Sequence, residues 1–125
     1  MSRQTYVNSY YTLPAGGSFN SYQYQPSIAF GTGFYYYNED GTPIDSNHYI
    51  RLTITNAASI GGAEATVKSA VFSTNIEVAQ NYSNFSNGSI FLYATDISES
   101  SPYYRAKITN TSSTSIKVKI NVNMD

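Results

Sequence analysis

From Ile116 to Met124 apolar and polar side chains alternate without a break. Ile116, Val118, Ile120, Val122 and Met124 fall on one side, and Lys117, Lys119, Asn121 and Asn123 on the other. Successive side chains of an extended chain point to opposite faces, so this pattern admits a strand with one wet face and excludes an amphipathic helix, whose apolar positions recur every three or four residues. The same period governs 48–55, with Ile50, Leu52 and Ile54 inward and Tyr49, Arg51, Thr53 and Thr55 outward. It returns in 104–109, where Tyr104, Ala106 and Ile108 alternate with Arg105, Lys107 and Thr109.

Weaker signals extend the pattern. Residues 64–72 alternate through Ala65, Val67, Ser69 and Val71, and 18–24 set Tyr22 and Tyr24 on one face. The continuous apolar run in 89–95 predicts a strand covered on both sides. Residues 27–37 read as a strand interrupted at Gly31 and Gly33, where a missing side chain marks a bulge or a close approach. Asn38-Glu39-Asp40-Gly41 supplies turn chemistry. Asn110–Thr114 reads as a polar turn joining 104–109 to 116–124 in a hairpin, which would place Arg105, Lys107, Lys117 and Lys119 on one outer face. Residues 81–89 read as a polar loop pegged by Tyr82 and Phe85, and Gly61-Gly62 breaks any helix over 56–66. No segment carries a sustained helical period with caps.

Eight or nine short strands with regular turns predict an all-β, single-domain antiparallel sandwich, either a jelly roll or an immunoglobulin-like Greek key. Residues 18–125 form that sandwich. Residues 1–17, ending in Pro14-Ala15-Gly16-Gly17, are either its first strand or an N-terminal arm that adds to a neighbouring copy.

The charge pattern narrows function. Only 12% of the 125 residues are charged and the net charge is −1, so nothing electrostatic favours nucleic acid. No apolar run reaches the roughly 20 residues of a membrane helix, and no membrane insertion is expected. The opening residues lack the apolar core of a Sec signal peptide. The composition still suits an extracellular location or the surface of a particle. With no cysteine there are no disulfides, thiol nucleophiles or thiolate metal sites.

Little in the chain suggests catalysis, and neither an enzyme nor a cofactor is expected. The single histidine, His48, heads an alternating strand and reads as structural. No Gly-x-Ser-x-Gly elbow occurs. Glu64, Glu77, Asp96 and Glu99 are scattered surface acids, while Glu39, Asp40 and Asp45 are weak candidates for Ca²⁺ ligands without the regular spacing of a calcium loop. Asn-x-Ser acceptor motifs begin at Asn81, Asn84, Asn87 and Asn110.

The functional signal is tyrosine, present 13 times. A large ring with a polar tip suits a surface that is buried against something else. Tyr10, Tyr11, Tyr22, Tyr24, Tyr35, Tyr36, Tyr37, Tyr49 and Tyr103 are the candidate contact residues. They support first a non-enzymatic structural subunit of a virion, spore surface or fibre, which self-assembles through β-edges and tyrosine-rich surfaces into a homo-oligomer. The alternative is a carbohydrate-binding module or lectin that holds polysaccharide with Tyr35, Tyr36 or Tyr37 beside Asp40 and Asp45, with or without Ca²⁺.

Overall fold

A computed structural model describes residues 4–37, 44, 46–82 and 85–125. Among the described residues there are eight strands: β1 (Gln4–Leu13), β2 (Ser18–Asn20), β3 (Ala29–Tyr37), β4 (Tyr49–Ala57), β5 (Glu64–Ser73), β6 (Phe85–Tyr93), β7 (Tyr103–Asn110) and β8 (Ile116–Met124). They form two four-stranded sheets, ordered β1-β8-β3-β6 and β2-β7-β4-β5. The outermost strands in sequence pair with each other, β1 with β8, then β2 with β7, β3 with β6 and β4 with β5, all antiparallel. The chain is thus one long ladder folded back on itself. The β3–β8 and β4–β7 pairings then roll that ladder into two sheets. This order is a jelly roll and resolves the choice against an immunoglobulin-like arrangement.

The inner faces follow the alternation. Ile116, Val118, Ile120 and Val122 of β8, Ile50, Leu52 and Ile54 of β4, and Tyr104, Ala106 and Ile108 of β7 are all buried. Phe30 and Phe34 of β3 and Ile90 and Leu92 of β6 complete the core. Each fully buried aliphatic side chain contributes about 1.5–3 kcal/mol. The hydroxyl of buried Tyr104 accepts from the Ser98 backbone N–H at 2.7 Å, so its ring enters the core without an orphaned polar tip.

Several local expectations are corrected. Strands 104–109 and 116–124 are not a hairpin: β7 lies in the second sheet and β8 in the first. Arg105 and Lys107 therefore stand on the opposite outer face from Lys117 and Lys119. In β5 a register shift between Ile54 and Thr55 of the partner strand resets the alternation, so Ala70 and Phe72 face Leu52 and Ile50 while Val71 is exposed. Residues 18–24 shorten to β2, and Tyr24 is joined to Tyr104 by an isolated bridge. The predicted loop over 81–89 holds the end of a helix and the start of β6. That helix, α1 (Ile76–Asn81), is capped by Asn75, whose side-chain oxygen accepts from the Val78 N–H at 3.2 Å. One and a half turns are too short to show a helical period. The turn expected at 38–41 lies outside the described residues.

Crossings between the sheets meet on one buried amide. Asn110 has no exposed surface. Its Nδ2 donates to the carbonyls of Leu13, Pro14 and Thr114 at 3.1, 3.2 and 2.8 Å, and its Oδ1 accepts from the Ser112 N–H at 3.0 Å. Its backbone N–H donates to Gly17 O, and its carbonyl accepts from Gly16 N–H, both at 2.9 Å. One residue thereby ties the β1–β2 crossing to the β7–β8 crossing. Gly16, at φ 73°, supplies the left-handed turn that brings the first crossing into reach.

This packing has two measurable consequences. Asn110→Ala strands buried carbonyls and lowers stability by about 3 kcal/mol, and Asn110→Asp, which turns an acceptor toward those carbonyls, lowers it further; urea titration measures both. The second concerns the ring string Tyr6–Tyr24–Phe30–Tyr104, with centroids 5.0, 6.2 and 6.1 Å apart. Burial first, and then the neighbouring Tyr22, Tyr6 and Tyr11, raise the Tyr24 pKa above 10.0. The unfolded chain loses that proton first, so this stabilisation is fully present below about pH 10 and fades as pH rises through the folded value. Urea midpoints taken between pH 8 and 11 should decline less steeply for Tyr24→Phe than for the parent.

Candidate functional site

Because β8 lies between β1 and β3, the outer face of the first sheet is a set of cross-strand rows. The first is Thr5, Asn123, Gly31 and Phe91; the second is Asn8, Asn121, Gly33 and Ser89; the third is Tyr10, Lys119, Tyr35 and Asn87. Beyond them Thr12 pairs with Lys117 and Tyr37 with Phe85. Side chains of one row share a face and stand within contact range of each other.

Two glycines on the central strand β3 let neighbouring groups close in over this face. A Cβ on Gly31 would lie 2.1 Å from Phe91 Cδ1, so the Phe91 ring occupies the space that a side chain would take. A Cβ on Gly33 would lie 2.8 Å from the Gly88 carbonyl oxygen and 3.4 Å from Asn121 Nδ2. A depression of about 390 Å³ lies over the first two rows, its lining including Thr5, Asn8, Tyr35, Asn87, Ser89, Phe91, Asn121 and Asn123. A second depression of about 480 Å³ adjoins it, lined by Asn8, Tyr10, Tyr35, Tyr37, Phe85 and Lys119. They share Asn8 and Tyr35 and form one groove along the strands. From Phe91 to Phe85 it runs roughly 20 Å at the rise of a β-strand.

The floor is partly ordered by its own hydrogen bonds. Thr5 Oγ1 donates to Asn123 Oδ1 at 2.8 Å, and Asn123 Nδ2 donates to Asn121 Oδ1 at 3.0 Å. This relay fixes the Asn121 amide and leaves its N–H₂ turned over Gly33. Asn8 and Asn87 bring further amides to either side, each with donors and an acceptor. Aromatic rings close both ends: Phe91 at one, and Tyr35 against Phe85 at 6.5 Å at the other. No described residue lining the groove carries a carboxylate, and Lys119 is its one described cation. The arrangement can hold an elongated molecule with flat apolar faces and many hydroxyls.

The predicted contact residues divide. Tyr10, Tyr35 and Tyr37 line the groove. Tyr11, Tyr24 and Tyr36 turn inward and pack against the core, Tyr11 on Phe19 at 4.5 Å and Tyr36 on His48 at 5.2 Å. Tyr22 is 83% exposed beyond β2, apart from the groove. Tyr49 and Tyr103 sit on β4 and β7 of the other sheet. That opposite face carries Arg51, Lys107 and the Arg105–Glu64 ion pair at 3.4 Å. Glu39, Asp40 and Asp45 lie outside the described residues. Among the described residues no group of three or more metal-ligating side chains occurs. His48 is buried, its Nε2 3.0 Å from Thr114 Oγ1, and it braces the β7–β8 crossing.

Sequence reasoning missed the amides Asn8, Asn87, Asn121 and Asn123 and the rings Phe85 and Phe91. The outward register of Asn121 and Asn123 is legible in the alternation; their pairing with glycines of β3 is not.

The sequence matches no protein-family model and no curated protein sequence. Solved structures match over nearly the whole chain. A CBM4 structure superposes with a TM-score of 0.59 at 9% identity, covering 98% of this chain and 78% of that one. A family 35 carbohydrate binding module from Clostridium thermocellum gives 0.52 at 17% identity, covering 98% of each chain. The Yersinia pseudotuberculosis-derived mitogen gives 0.56 at 12% identity, covering 99% of this chain and 86% of that one. No helix among the described residues is long and apolar enough to cross a membrane. What these likenesses establish is shared architecture: the chain has the jelly-roll sandwich fold of these proteins.

Proposed function

We propose that this domain binds an oligosaccharide or polysaccharide chain in the groove of the first sheet, without cleaving it. The observation that carries the reading is the amide-and-glycine floor between aromatic ends. A pyranose ring offers an apolar C–H face to an aromatic ring and a rim of hydroxyls to side-chain amides, so one surface needs both kinds of group. The length of the groove suits several sugar units. Hydrolysis of a glycosidic bond uses a pair of carboxylates, and none of the described lining residues supplies one. The fold shared with carbohydrate-binding modules supports the reading, and the site of action is outside the cell or on a particle surface.

A glycan array identifies the ligand and calorimetry measures it. Phe91→Ala, Tyr35→Ala and Asn121→Ala should each weaken binding about tenfold, the scale of one lost stacking or hydrogen-bonding group of about 1.4 kcal/mol. Tyr49→Ala, on the opposite sheet, should leave it unchanged. Binding that depends on Tyr49 and not on Phe91 would place the site on the wrong face.

A second reading, self-assembly through an edge strand, rests on β1. The other edges are guarded. β2 has three residues, and Lys68 of β5, in register with inward-facing Ile54, sends its Nζ to the Phe91 carbonyl of β6 at 2.9 Å. β1 runs ten residues, Gln4–Leu13, with neither charge nor proline, and only a register shift between Thr5 and Val7 interrupts it. In this reading residues 1–17 are the joining segment between copies. Light scattering over a concentration series should show association that Ser9→Lys abolishes, since Ser9 is exposed opposite Ile120 and a lysine there mimics Lys68. A monomer at every concentration would end this reading and leave the groove untouched.

A further inference from the structure

The groove is chemically lopsided. No described residue lining its Phe91 end is charged, whereas its other end holds Lys119 between Tyr10 and Tyr35 in a single cross-strand row. Lys119 is half-buried on the central strand β8, so its aliphatic stem lies along the sheet and its ammonium reaches the rim. The ammonium sits 5.5 Å from the Tyr10 ring centroid, and Lys117 sits 6.0 Å from the same ring. A ring face attracts the cation but accepts none of the directed hydrogen bonds that its three N–H groups can make.

Described carboxylates lie elsewhere. Glu64 is paired with Arg105 on the opposite sheet, Glu77 is in α1, and Asp96 and Glu99 are in the segment after β6. Asp125 follows β8, where its backbone carbonyl accepts from Ser27 and Ile28. Among the described residues Lys119 has no ion-pair partner. Among the described residues, that end of the groove is lined by one cation and by no carboxylate.

We infer that the Tyr10–Lys119–Tyr35 row is a subsite for an anionic sugar, a pyranose stacked on Tyr35 whose carboxylate or sulfate receives the Lys119 ammonium. The inference rests on the glycan-binding reading and narrows it from glycans in general to acidic ones. Lysine reads charge rather than the shape of the anion, so the shared chemistry is a fixed negative group on a sugar ring. An anion here offers the ammonium charged acceptors, which bond its N–H groups more strongly than the hydroxyls of a neutral sugar do.

Matched pairs of oligosaccharides test it on the intact chain. Glucuronate- and galacturonate-containing tetrasaccharides are titrated against their carboxyl-reduced counterparts, and sulfated ones against their desulfated forms. At low salt the charged member of at least one pair should bind about tenfold tighter, the scale of a charge-assisted hydrogen bond. Raising the salt should shrink that ratio. Lys119→Met should level the pair by lowering affinity for the charged member, and Lys119→Glu should reverse the preference. Thermal melting confirms that both variants are folded. The pair that responds identifies carboxylate or sulfate as the source of charge. Equal affinity within every pair, or a preference that survives Lys119→Met, overturns the acidic subsite and leaves the groove reading standing. Failure of every probe, charged and neutral, overturns both.

Discussion

The antiparallel placement of β8 between β1 and β3 is the constraint on which the rest depends. Its inner residues Val118, Ile120 and Val122 are fully buried, so a slip of one position would drive Lys117, Lys119 and Asn121 into the core. That penalty pins the register, and the register composes the outer rows. Asn121 falls over Gly33 and Lys119 between two tyrosines because Val118, Ile120 and Val122 must face in. The outer surface of this sheet is thus held by the hydrophobic interior beneath it, on strands rather than on loops. A site so supported needs little reordering to receive a rigid ligand.

The alternation in 48–55, 104–109 and 116–124 makes the sandwich and most of its core legible from the order of residues alone. Pairing is not legible, because an alternating strand shows which face is apolar and nothing about its neighbour. Arg105 and Lys119 therefore read as members of one cationic face and belong to opposite ones. The run Ile90-Phe91-Leu92 reads as part of a strand covered on both faces. It lies on an edge strand, where Phe91 is apolar because its ring covers Gly31 across the ladder. Gly88 has a similar explanation on the inner side: a Cβ there would meet the Phe72 ring at 2.6 Å. A glycine in one strand and an aromatic residue in the next are a single packing unit, and a linear pattern cannot join them.

The tyrosines carry more than one meaning. Those that turn inward thicken the core, which contains no tryptophan, and the hydroxyl of Tyr104 accepts from the Ser98 N–H there. Those of the groove share their row with lysine and asparagine, a mixture suited to hydroxylated ligands more than to a dry protein interface. Tyr49, half exposed on the other sheet, stands among Arg51, Thr53 and Thr109. Aromatic abundance alone therefore identifies no single surface, whereas the companions of each ring separate them.

The burial of Asn110 and the openness of Asn87 lead to an asymmetry in any host that N-glycosylates. Both begin an acceptor sequence, yet the Asn110 amide is spent on three backbone carbonyls inside the sandwich, and a glycan attached to it during synthesis would keep the sheet crossings from closing. Asn87 is exposed beside Tyr35, within the hollow itself. A secretory route of that kind would leave the domain with a covalent sugar at the groove, so material made there would present a plugged groove, while unmodified material would present an open one.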